Sequence, residues 1–172
     1  MSPTRYPRVM QALHWLTVLA VVLLFPVGYV MARIEFGSPL KTPLFRLHAF
    51  LGYAVLIMTV LRLYYKFRAP QPAPPAEVRG ARLALYRLVH ALLYVGLLLM
   101  GVSGPSVFLQ SGVGLSPWVD PGALNFKVPA AALHVNFKYA LLALIGVHIV
   151  GVVSYQVAKG DVLSRMGLGR GR

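Results

Sequence analysis

The stretch Ala130–Lys159, AAALHVNFKYALLALIGVHIVGVVSYQVAK, decides how the rest of the chain is read. It is apolar almost throughout, yet it carries two histidines, His134 and His148, fourteen residues apart. On an α-helix fourteen steps of about 100° come to about 1400°, within about 40° of four whole turns. Both imidazoles therefore leave one face, separated by about 21 Å along the axis. A bilayer core is about 30 Å thick. A helix crossing it would hold one histidine near each edge, both turned into the protein.

The composition agrees with a membrane setting. Among 172 residues, 58% are hydrophobic and 12% charged, with a mean hydropathy of +0.68. The length predicts one domain, residues 1–172. Four apolar runs reach the roughly 20 residues that a spanning helix needs. They cover about 9–32, 45–65, 83–104 and 130–158. A soluble bundle would show polar outer faces, and these runs are apolar all round. The first run is too long for a signal peptide and lacks a small-residue cleavage site, so it is read as a retained helix. The expected fold is all-α, an integral membrane four-helix bundle.

Cysteine is absent, which excludes disulfides, thiolate metal sites, iron–sulfur clusters and covalent haem attachment through C-x-x-C-H. A formal net charge of +13 is also what a nucleic-acid binder carries, but the basic residues sit at the ends of the apolar runs, where they set topology. The reading therefore includes no nucleic acid. The four acids, Glu35, Glu77, Asp120 and Asp161, all lie outside the runs. Catalysis by a buried carboxylate pair is thereby disfavoured.

Of the 17 Lys and Arg residues, 12 fall on the side that bears both termini. The other five are Arg33, Lys41, Arg46, Lys127 and Lys138. The positive-inside rule then puts both termini in the cytoplasm. Depth follows from direction. His14 enters early on an outward span and lies at the cytoplasmic level, as does His148. His48 and His134 lie at the outer level. The consistent pairs are His14 with His148 and His48 with His134. His90 also falls at the cytoplasmic level and has no mate.

Ionisable groups inside apolar spans are costly and usually functional. Two neutral imidazoles at one depth on different helices suit a metal with two protein ligands. Zinc wants more, commonly cysteine or carboxylate, and the spans offer neither. A haem brings four nitrogens and needs only two axial ligands, so two bis-histidine haems fit this inventory. Other residues belong to the same picture. Arg62 lies fourteen residues after His48, on the same face at the inner level, where it would meet a propionate of the inner haem. Lys138, one turn inward of His134, would meet an outer propionate or draw anions to the outer site. Gly52 lies one turn from His48 and leaves room for something flat. Gly96, Gly101 and Gly104 allow close helix approach. Trp15 and Trp118 are expected at the interfaces. The proline-rich connector APQPAPPAEVRGAR joins the second and third spans, the loop after Pro105 is expected along the surface, and the C-terminal tail is read as disordered at its end.

These residues resemble the bacterial cytochrome b561 family of small four-helix di-haem membrane cytochromes. The likeness covers about residues 5 to 167. It lies in RYPRVMQALHWL around His14, LHAFLGY around His48, VLRLYYKFRAPQPAPP after it, HALLYVGLLLMGVSG from His90, the His134/His148 pair, and KGDVLSRM near the end. The resemblance implies two haem b groups, one ligated by His14 and His148 on the cytoplasmic side, the other by His48 and His134. His90 matches a family histidine that is not a ligand. It further implies a multi-pass protein of the bacterial inner membrane that moves electrons between the quinone pool and an outer-face donor, either superoxide or a periplasmic redox partner. In the superoxide case the activity would be superoxide:ubiquinone oxidoreductase. His90, Arg62 and Trp15 are the candidates for the quinone side. The chain departs from many relatives at Val135, where a glutamate is common, and at Val153–Tyr155, where a further histidine is common. Two other readings fit the residues: a haem-bearing membrane anchor of a dehydrogenase or hydrogenase, and a haem-free transporter or proton relay that uses the histidines.

Overall fold

The computed structural model describes residues 3–159 and 162–169. Four long helices account for most of them: α1 (Arg8–Arg33), α2 (Lys41–Arg68), α3 (Gly80–Gln110) and α4 (Pro129–Lys159). A short helix, α5 (Val162–Arg165), follows α4, and a single 3-10 turn, Pro121–Ala123, sits in the α3–α4 loop. All four long helices have the length and hydropathy to cross a membrane. At 1.5 Å per residue they run about 39 to 46 Å, more than a hydrocarbon core requires. Large apolar side chains face outward, among them Val22, Phe50 and Val150, each more than 60% exposed. In water that surface would be a liability, whereas in lipid it is simply the solvent face.

The helices outrun the spans expected from sequence. The clearest case is α3, whose expected span ends near Gly104 but which continues through Pro105 to Gln110. Proline removes one backbone donor, a loss that a helix among other helices tolerates. α1 likewise runs unbroken through Pro26.

The helices pack in chain order, α1 on α2, α2 on α3 and α3 on α4. Among the described residues, no Cα of α4 comes within 8 Å of a Cα in α1 or α2. A central layer takes one buried residue from each helix, Ala20, Val55, Leu97 and Leu141. Glycines make the tight seams on α3. A Cβ on Gly96 would lie 3.1 Å from Leu141, and one on Gly101 would lie 2.9 Å from Leu56.

The described segments near the two chain ends lie at one end of the bundle. There the amide of Tyr6 donates to the carbonyl of Arg165 at 3.1 Å, and Trp15 Nε1 donates to the carbonyl of Met166 at 2.8 Å. Arg165 also reaches back to the carbonyl of Ala73 in the proline-rich connector. The tail is thus partly ordered by α5, and the expectation of disorder at Arg170–Arg172 lies outside the described residues. The Tyr155 hydroxyl donates to Glu77 Oε2 at 2.7 Å. This bond holds the exposed Glu77 carboxyl below its ordinary range. It also ties the connector to the end of α4.

At the opposite end, the α3–α4 loop folds back over the bundle. Tyr53 donates to the carbonyl of Leu115 at 2.7 Å and Arg46 Nη2 to that of Trp118 at 3.2 Å, leaving the Trp118 ring 70% exposed. Lys41 departs from the open basic rim read from sequence. It is only 6% exposed, and its ammonium donates to the carbonyls of Met31 (2.9 Å) and Ile34 (3.0 Å) at the end of α1. Those carbonyls lack intrahelical donors, and the α1 dipole favours a cation there. Lys41→Met is expected to destabilise the protein by about 1–3 kcal/mol, the scale of a lost charged hydrogen bond, read as a lower midpoint of thermal unfolding in detergent.

Candidate functional site

The site is built from the polar groups that the spans enclose. At the loop end, α2 carries His48 and α4 carries His134, with ring centroids 6.0 Å apart and planes at 78°. At the terminal end, α1 carries His14 and α4 carries His148, 6.5 Å apart at 74°. The structure therefore brings together the two couples expected from depth. A metal–imidazole bond is about 2 Å, so two rings on opposite sides of one iron have centres a little over about 6 Å apart. Both separations suit that arrangement. The gap between α4 and α2 leaves a slot beside His48 and His134.

A cavity of about 150 Å³ opens between His48 and His134, with Met31, Phe45, Gly52 and Phe108 among its walls. The walls are apolar apart from the imidazoles, as a porphyrin face requires. Two glycines shape it. A Cβ on Gly28 would sit 2.9 Å from His48 Cε1, so α1 can approach that ring only without a side chain. A Cβ on Gly104 would lie 3.7 Å from His134 Cε1. Gly52 has nothing within 4 Å of its Cβ position, in keeping with the open space expected beside His48.

The imidazoles differ in how they are held. His134 Nδ1 lies 2.8 Å from the Ser103 hydroxyl. His14 Nδ1 and His48 Nδ1 are buried without a hydrogen-bond partner among the described residues. The Nε atoms of Arg46 and Arg62 are orphaned in the same way. Arg62 stands over Tyr94, 5.3 Å from its ring, within electrostatic reach of His14, His90 and His148. Lys66 lies 4.8 Å from the same Tyr94 ring. Lys138 lies 4.9 Å from the Tyr139 ring and within electrostatic reach of His134.

His90 departs from the sequence reading, which left it without a mate. Its ring is 5.1 Å from that of His148 and 4.3 Å from that of Tyr86. The His90–His148 separation is ring contact, too short for an iron between them. Its Nδ1 is 2.7 Å from the carbonyl of Tyr86, one turn back on its own helix. Tyr86 in turn meets Tyr6, with hydroxyls 3.4 Å apart. Trp15 packs edge-on to His14 at 5.1 Å, and its only N–H is already given to Met166. It is therefore a wall of the His14 site and a clasp for the tail, with no donor left for a quinone.

Sequence reasoning missed Ser103 and the contact of Gly28 with His48, and it placed Arg46 on the outer basic side without its partner Trp118. A serine in an apolar span carried no pattern of its own. The signal for Gly28 was available only as its place near the far end of α1, level with the start of α2. Arg46 is two residues from His48, about 200° around the helix, and its partner Trp118 lies in a loop whose path the sequence leaves open.

The comparisons agree with this geometry. A model of the family described as prokaryotic cytochrome b561 matches residues 5–169. Cytochrome b561 homolog 2 of Escherichia coli (strain K12) is 28% identical over 176 residues, covering 96% of this chain and 92% of that protein. A helical bundle with four spans, two facing imidazole couples and a family match over almost its full length lead to one statement: this chain belongs to the prokaryotic cytochrome b561 family, multi-pass bacterial membrane proteins that transfer electrons on b-type haem.

Proposed function

We propose that the protein is a transmembrane electron wire with two haem b groups, carrying single electrons from an outer-face donor to the quinone pool. The observation that carries this reading is the pair of facing couples, His48–His134 and His14–His148, each spaced for one iron. Haem iron, when bound, takes up and releases one electron between its ferric and ferrous states. The chain does the rest. His48 and His134 hold the outer group, and His14 and His148 the inner one. Arg62 meets a propionate of the inner group, and Lys138 one of the outer group, where each cation favours the reduced state. His90 stays off the iron, bound to its own helix at Tyr86, on the side proposed for ubiquinone. The positive-inside rule puts the terminal end in the cytoplasm of the inner membrane.

The proposed donor is superoxide. Arg33, Arg46, Lys127 and Lys138 give the loop end a positive field that raises the encounter rate of a small anion. Lys41, tied to α1, is not part of that rim. Two superoxide anions would each give up one electron and leave as dioxygen. One ubiquinone would take both electrons with two cytoplasmic protons and leave as ubiquinol. The test is superoxide delivered by pulse radiolysis to purified protein with ubiquinone. Haem reduction is expected, slowed roughly tenfold or more when the four rim cations are replaced by glutamine, with the gap closing at high salt. Reduction at the same rate in the rim variant, or none in the wild type, would remove superoxide as the donor.

A further inference from the structure

Ser103 is buried, 4% exposed, on the face of α3 that meets α4. Its hydroxyl makes two short contacts, 3.0 Å to the carbonyl of Met100 and 2.8 Å to His134 Nδ1. A hydroxyl has one hydrogen, and a carbonyl can only accept. With the hydrogen given to Met100, the serine oxygen accepts from Nδ1–H of His134, the arrangement that uses both contacts. That fixes the His134 tautomer, with the proton on Nδ1 and the lone pair on Nε2, free for a metal. In the other couple, His14 Nδ1 is buried without a hydrogen-bond partner among the described residues.

Resting on the bis-histidine reading above, we infer that Ser103 is the positioning residue that orients His134 toward the outer iron and lowers that centre's reduction potential relative to the same site without it. A hydrogen bond accepted from the far nitrogen of a ligating imidazole fixes its orientation and raises its basicity. A more basic axial ligand stabilises ferric over ferrous iron. Burial strengthens the effect, because no water competes for the N–H. The consequence for the wire is directional: a lower potential at the outer centre favours passing the electron inward.

The experiment is a spectroelectrochemical titration of full-length protein, wild type against Ser103→Ala and Ser103→Thr, with a haem count per chain for each. Alanine suits a helix and fills the same space less the oxygen, and threonine keeps the hydroxyl. In Ser103→Ala one of the two midpoints should rise while the other stays fixed, and Ser103→Thr should restore it. Loss of one haem in the alanine variant alone, with retention in the threonine variant, would support the same role through orientation. Superimposable titrations for wild type and Ser103→Ala would overturn the inference, as would equal shifts in both variants, which would trace the effect to packing. A wild-type preparation without two low-spin haems would instead sink the haem reading itself.

Discussion

His134→Ala is expected to cut the haem content of the purified protein from two per chain to one, and His48→Ala to give the same result. The rings are 6.0 Å apart on separate helices, so either substitution leaves one imidazole facing a methyl group across the slot. The His48→Ala/His134→Ala double variant should lose no more than either single, because the two act on one iron. His14→Ala and His148→Ala form the second such set. Crossing the sets, as in His134→Ala with His148→Ala, should leave no haem at all. His90→Ala should retain both. The measurement is a pyridine haemochrome assay per mole of chain, with the reduced-minus-oxidised spectrum. Loss of haem in His90→Ala equal to that in His148→Ala would reassign the inner ligand. A crossed double variant that still held one haem would break the pairing.

Gly28→Leu carries the second large effect. At this position even a Cβ would come within 2.9 Å of His48 Cε1, and the longer side chain drives into the ring. A free histidine could swing away, but one clamped by iron cannot, so the strain falls on the helix seam or on the ligand bond. Overpacking of this kind costs about 1–3 kcal/mol. The expected outcome is a lower unfolding midpoint and selective loss of the outer haem, with the inner haem retained. Gly52→Ala makes the contrasting control, since nothing lies within 4 Å of its Cβ position. Unchanged haem content in Gly28→Leu would mean that α1 yields instead of His48.

Helix number, membrane character and the depth of each histidine were all legible from the chain. They depend on quantities the sequence carries directly: apolar run length against bilayer thickness, and residue spacing against helical pitch. The fourteen-residue interval from His134 to His148 needed no knowledge of the neighbours. What the sequence hid were facts of lateral packing. Which face of α1 meets His48 depends on a single glycine contact. The bond from Ser103 to His134 depends on how α3 rotates against α4. Lys41 looked like a surface cation because its partners, the carbonyls of Met31 and Ile34, belong to the backbone and carry no side-chain signature.

The standing-off of α4 from α1 and α2 has a further meaning for biogenesis. The α1–α2 and α3–α4 hairpins each pack within themselves, and among the described residues α2 and α3 make the one packing of long helices between them, with the Tyr6–Arg165 bond and the α3–α4 loop tying the two ends. A newly inserted polypeptide would therefore reach the bilayer as two hinged leaves, with the porphyrins serving as the pins that shut the book. Haem supply then becomes a checkpoint on assembly, and a starved cell would hold an ajar, protease-sensitive form of the chain where a replete one holds the closed cytochrome.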